Sequence, residues 1–305
     1  MTGIKVKVVP QFPNPVIGGA GIDVQKANGN WTISLDYAKF GLNSPYVPQP
    51  NHRVVIFTQS SDGYFTVPTT VLAGDPHFFN VVLLMGFEGV NGSTGAPGLT
   101  DESPAAHGTG TLINPSLGNI STSQFRFGTS SLFINGTSTP SGLTFPDSND
   151  WNFGAGLFTI EMWVRFPLAP AGSQVFASQW GLSGQFAWQF GLTGGSSLSW
   201  IVSVDGTSIL TDINGTWGPV ANTWYHVAVD YDGTKYRVYV NGVRTGSSAI
   251  PRTIFNSNLV LAIGSYFNGL NLMNGFVDEL RITKGVARYA TDTSFAVPTS
   301  AFPRI

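Results

Sequence analysis

The chain has 305 residues, of which 10% are charged and 13% aromatic, with 37 glycines, 19 prolines, no cysteine and a formal net charge of -2. So few charges cannot cover the wet faces of a helical bundle, whereas so many turn-formers suit short strands joined tightly. The missing cysteines exclude disulfides, thiolate metal sites and cysteine nucleophiles, and the lack of a basic cluster excludes nucleic acid as the main partner.

The length predicts one large β domain with a smaller companion. Residues 1–75 read as the smaller one. Lys5-Val6-Lys7-Val8-Val9 alternates before meeting Pro10, Pro13 and Pro15. Ile22–Lys26 and Trp31–Leu35 flank Ala27-Asn28-Gly29-Asn30, and Asn-Gly between alternating runs is a strong hairpin signal. Arg53–Phe57 and Gly63–Val67 form a second expected pair. So few strands bury little, which predicts stabilisation by oligomerisation or by docking on a partner. The N-terminus shows no apolar core of a signal peptide, and the longest apolar run, around Val81–Met85, is too short to span a bilayer. A protein made and soluble in a cytoplasm, without membrane insertion, is the expectation.

From about residue 80 the texture is continuous β. Val81–Met85 opens a domain expected to run to residue 305. A long loop, 90–123, follows. Strands are then predicted at 131–134, 143–145, 158–166, 174–178, 186–192, 198–204, 224–230, 236–240, 259–263 and 276–282, with turns at Asp205-Gly206, Asp232-Gly233 and Asn241-Gly242. About ten strands without a helix predict an all-β sandwich or jelly roll. In the last strand, strict alternation puts Phe276, Asp278, Leu280 and Ile282 on one face and Val277, Glu279 and Arg281 on the other. An aspartate among large apolar residues needs donors or a cation. Asp278 is therefore either a hydrogen-bond anchor or a metal ligand.

Six ordered motifs carry a resemblance. They are Phe127-Gly128-x-x-Ser131-Leu132, Phe158-Thr159-Ile160-Glu161-Met162-Trp163-Val164-Arg165, Trp224-Tyr225-His226-Val227-Ala228-Val229, Tyr239-Val240-Asn241-Gly242, Ile263-Gly264 and Gly275-x-x-Asp278-Glu279-Leu280-Arg281-Ile282. Together they resemble the laminin-G-like branch of the concanavalin A-like lectin/glucanase superfamily, over roughly residues 80–300. The resemblance implies a concanavalin A-like jelly-roll sandwich preceded by the small N-terminal β module. It also implies a structural calcium held by Glu88, in Phe87-Glu88-Gly89, and by Asp278, the alternative being that Asp278 meets backbone amides or an arginine. Gly21-Ile22-x-Val24 and Trp31-Thr32-Ile33-x-Leu35-Asp36-Tyr37 resemble the N-terminal segments of bacteriophage structural proteins, over roughly Gly21 to Val67.

No catalytic residue is expected. Family members that cleave glycans place two or three carboxylates at alternating positions on one strand, so that acid and nucleophile flank a glycosidic bond. Glu88, Glu102, Glu161 and Glu279 begin no such motif. His226 reads as a packed, hydrogen-bonded residue, and Trp163 as core. Trp180, Trp188, Trp200 and Trp217 lie mid-domain, and sugars bind exposed aromatic faces while polar groups read their hydroxyls. Trp188, Trp200, Gln189 and Asp205 are accordingly the ligand-binding candidates.

The expected protein is a non-enzymatic bacteriophage virion protein of the decoration, head-fibre or tail-fibre type. The N-terminal module would anchor it to other virion proteins, and the sandwich would touch host-surface glycans. A homo-oligomer is expected, a trimer if the protein is a fibre. The alternative is a free carbohydrate-binding lectin, and the third reading a glycan hydrolase.

Overall fold

A computed structural model describes residues 74–136, 139–267 and 271–305 in full and, before them, the backbone of five short strands. The chain divides into two compact units, Met1–Ala73 and Gly74–Ile305. In the first, β1 (Lys5–Lys7) pairs with β5 (Tyr64–Thr66), which also pairs with β4 (Thr58–Gln59). β2 (Ile22–Ala27) and β3 (Asn30–Leu35) form the hairpin that Asn28-Gly29 foretells. The strand expected at Arg53–Phe57 lies outside the described residues.

The second unit is a sandwich of two antiparallel sheets. Its strands are β6 (Val81–Met85), β7 (Thr111–Leu112), β8 (Gly118–Ser121), β9 (Ser131–Ile134), β10 (Leu143–Phe145), β11 (Phe158–Arg165), β12 (Gln174–Gln179) and β13 (Trp188–Thr193), followed by β14 (Ser197–Val202), β15 (Leu210–Thr216), β16 (Trp224–Tyr231), β17 (Tyr236–Val240), β18 (Val243–Ser248), β19 (Leu261–Ile263) and β20 (Gly275–Lys284). The seven-stranded sheet runs β15-β14-β13-β12-β19-β10-β7. The eight-stranded sheet runs β18-β17-β16-β11-β20-β9-β8, with β6 also paired to β20. Residues 74 and 75, read from sequence as part of the first module, belong to this unit: the Asp75 N–H donates to the Ile305 carbonyl at 2.8 Å.

Alternation explains the core. Ile160, Met162 and Val164 of β11, Val227 and Val229 of β16, and Phe190 and Leu192 of β13 point inward and are sealed between the sheets. A fully buried side chain of this size contributes about 1.5–3 kcal/mol. Three departures from the expected strands share a cause. β15 and β18 are edge strands with polar, half-exposed faces, and the span read as a loop at 90–123 contains the short strands β7 and β8. None has the apolar alternation by which a strand is recognised.

The largest correction concerns β20. Its register against β11 shifts between Glu161↔Arg281 and Trp163↔Asp278, so Glu279 and Leu280 together oppose Met162. Glu279 takes φ 48°, the left-handed conformation of a β-bulge. The extra residue resets the alternation. Val277, Leu280 and Ile282 enter the core, while Phe276 and Asp278 stay on the outer side with Arg281. Asp278 thus does not share a face with Leu280 and Ile282.

Candidate functional site

The bulge lies where β20 passes from one neighbour to another, pairing with β9 through Gly275–Val277 and with β6 through Leu280–Thr283. Asp278 fills that junction. Its Oδ2 accepts from the backbone N–H groups of Arg126 at 2.6 Å and Phe127 at 3.1 Å. Burial pushes its carboxyl up to about 7, which the two amides only partly oppose. Glu88 accepts from the N–H and hydroxyl of Thr129, at 3.0 and 2.7 Å. Both carboxylates therefore hold one loop, residues 126–129, from opposite ends. Donors meet Glu88 and Asp278 Oδ2 where a calcium site would use carbonyl oxygens; Asp278 Oδ1 is buried without a hydrogen-bond partner, but among the described residues no three His, Cys, Asp or Glu side chains converge on it. These residues do not fit a bound calcium. The amide-anchor alternative describes Asp278.

The other carboxylates on this sheet are structural too. Glu161 is fully buried; its Oε1 accepts from Arg281 Nε at 2.9 Å and Nη2 at 2.7 Å, and its Oε2 lies 3.1 Å from His226 Nε2 and accepts from the Tyr289 hydroxyl. Arg281 and Arg288 in turn both grip Asp75, at 2.8 and 2.7 Å. Burial pushes the Glu161 carboxyl up, but Arg281, His226 and Arg288 hold it well below the usual range. His226 is the packed, hydrogen-bonded residue expected from its motif. Glu279 and Glu102 are tied to Arg304, at 2.8 and 2.6 Å. Each of the four glutamates thus has a partner, and among the described residues none is paired with another acid across a cleft.

The aromatic candidates require correction. Trp188 and Trp200 are 0% exposed and stack on each other between the sheets, centroids 5.7 Å apart. Both occupy inward positions of β13 and β14, so neither offers a face to a sugar. Trp180 is buried against Phe186, and Trp217 joins the core. Trp163 is buried as expected, but on the outer side of the eight-stranded sheet, with Arg126 stacked 4.3 Å from its ring. Asp205 caps its own turn: Oδ1 accepts from the Thr207 and Ser208 amides and Oδ2 from the Ser208 hydroxyl. The Ser208 hydroxyl and these amides hold its carboxyl below the usual range. Its acceptors are spent locally.

Gln189 alone of the four lies in a depression, on the outer face of the seven-stranded sheet. The cavity is about 140 Å³ and is lined by Gln189, Gly191 and Thr193 from β13, Ser199 and Ile201 from β14, Val175 from β12, and Tyr266 and Asn271 beyond β19. These are the outward positions whose inward neighbours are Trp188, Phe190, Leu198 and Trp200, which is how the same strands build core and site. The Tyr266 hydroxyl accepts from Asn271 Nδ2 at 2.8 Å and is also hydrogen-bonded to Gln189. Burial raises its pKa, and the two amides pull it back. Thr193, Ser199, Tyr266 and Asn271 were not singled out from sequence. The parity of β13 and β14 around their tryptophans was the available signal.

The sequence profile of the Laminin_G_3 family, the concanavalin A-like lectin/glucanases superfamily, matches residues 137–289. The chain belongs to this superfamily. No curated protein sequence matches it. Among solved structures, this concanavalin A-like chain is similar to domain 4 of AbnA, a GH43 extracellular arabinanase from Geobacillus stearothermophilus, in complex with arabinotriose. The two are 21% identical over 67% of this chain and 92% of that one, with a TM-score of 0.50. It is also similar to the binding domain of botulinum neurotoxin DC in complex with rat synaptotagmin II, at 13% identity over 69% of this chain and 50% of that one, TM-score 0.49. The chain thus spans about half the length of that toxin domain. At such identities the likeness is one of fold, and function must come from the concanavalin A-like site itself.

Proposed function

We propose that residues 74–305 are a non-catalytic glycan-binding module, displayed on a bacteriophage virion through residues 1–73. The observation that carries the glycan reading is the depression around Gln189. It combines convergent amides and hydroxyls with an aliphatic floor, the mixture a sugar's hydroxyls and C–H faces require. The four glutamates, each held by a structural partner, support a binding rather than a hydrolytic role. The arabinotriose held by the arabinanase domain agrees with a saccharide ligand for this fold.

The virion reading rests on the pattern of Gly21 to Val67. The test for binding is a glycan array probed with the full chain and with Gln189→Ala. Loss of signal at an unchanged melting temperature is expected, and an unaltered array pattern would remove the depression from consideration. For display, the protein should sediment with a capsid or tail preparation only when residues 1–73 are present. A chain that binds glycans but stays diffuse with either preparation would favour the free lectin.

A further inference from the structure

The depression has a donor and acceptor inventory that discriminates between sugars. Thr193 Oγ1 donates to Ser199 Oγ at 2.9 Å, and Ser199 Oγ donates to the Gly191 carbonyl at 3.1 Å. Both hydroxyl protons are consumed, so what these side chains show a ligand is lone pairs. Tyr266 is the converse. Its oxygen accepts from Asn271, and its hydroxyl carries a rotatable proton that it can turn towards a ligand. Among the described residues, no Asp, Glu, Lys, Arg or His lines the cavity.

A sugar hydroxyl, donor and acceptor at once, satisfies both kinds of wall: it accepts from Tyr266 and donates to Thr193. A carboxylate or sulfate only accepts, so it would face the lone pairs of Thr193 and Ser199 without a cation to repay its desolvation. The size adds a second restriction. About 140 Å³ is close to a cavity that holds one benzene-sized ring, and well under the ~300 Å³ at which pockets for larger ligands begin. Val175 and Ile201 offer the aliphatic surface on which one ring face can lie.

Resting on the glycan reading of this depression, we propose that its ligand is a single uncharged sugar residue, at a chain end or side branch, and that sialic, uronic and sulfated residues are excluded. The test uses the full chain against matched pairs of oligosaccharides that differ only in whether the terminal neutral sugar is capped by sialic or uronic acid. Neutral termini should bind, capping should abolish binding, and Tyr266→Phe should weaken it about ten-fold with the melting temperature unchanged. Thr193→Lys, at an exposed position, should recover the acidic termini. Binding confined to acidic glycans and lost in Gln189→Ala would overturn the neutral specificity while leaving the depression as the glycan site. Neutral binding untouched by Tyr266→Phe and Gln189→Ala would overturn both, as would a wild-type chain that binds no glycan at all.

Discussion

Glu161 meets Arg281, His226 and Tyr289 in a place where no water reaches it, and Asp75 completes the balance by taking Arg281 and Arg288 from the other side. Removing one member of such a set leaves an uncompensated buried charge, so Glu161→Ala should cost about 3–5 kcal/mol by denaturant unfolding. Glu161→Met combined with Arg281→Met should cost less than the sum of the two single changes, because the charges leave together. Additive costs would show that the two residues do not act as a pair. Trp200→Ala should cost about 3–5 kcal/mol, whereas Gln189→Ala should leave stability within about 0.5 kcal/mol. Sequence patterning identified His226 as a packed, hydrogen-bonded residue, and it grouped Gln189, which lines the depression, with Trp188 and Trp200, which it offered as binding faces. An indole's identity does not reveal its side of the sheet; only its parity with Phe190 and Leu198 does. Asp205 misled for a different reason, since an Asp-Gly turn spends its carboxylate on the amides that follow it.

Among the elements, β20 shows what alternation can and cannot reveal. Its place was legible, because the expected span 276–282 lies inside Gly275–Lys284, while its last two residues, Thr283 and Lys284, fell outside the apolar pattern. The bulge at Glu279 was not, because the conformation of one non-glycine residue at positive φ leaves no mark in a hydrophobic pattern. Edge strands β15 and β18 escaped for the opposite reason, their polarity being what keeps an exposed edge from pairing with another molecule. The segment after β20 is held to the sheet partly by Asp230 of β16, which accepts from the Ala290 N–H at 2.7 Å. Burial pushes the Asp230 carboxyl up to about 6, against the opposing effects of that amide and of Arg237. Because the folded value lies above the unfolded one, this group's contribution to stability is complete below the unfolded pKa and is lost as pH rises through about 6. Asp230→Asn should therefore gain on the wild type in melting temperature between roughly pH 4 and 6, near the range set by the unfolded aspartate. Parallel melting curves across that window would show that Asp230 titrates as an ordinary aspartate.

For the molecule as a whole, the class was readable because the six motifs fall on strands that pair in one sandwich: β11, β16 and β20 lie side by side in the eight-stranded sheet. The depression was less readable, since it gathers residues from β12, β13, β14 and the chain after β19, and spacing along a sequence does not report which strands adjoin. The sandwich has its own core and its own closing contacts, so residues 74–305 produced alone should unfold in a single cooperative transition. Two transitions, or a collapsed state without cooperative melting, would show that the first 73 residues are needed to fold it.

The grip of Arg281 and Arg288 on Asp75 has a mechanical consequence. Arg281 projects from the outer side of the eight-stranded sheet, whereas the depression opens on the outer side of the seven-stranded sheet. Asp75 is therefore fixed on the side of the sandwich away from the depression. Tension transmitted through residue 73 would be carried first by Asp75 and its two arginines, 2.7–2.9 Å away, and not by the strands that line the cavity. A load applied at that point would spend itself on this buried ion cluster before it deformed the opposite sheet, which leaves the shape of the depression insulated from whatever pulls on residue 74.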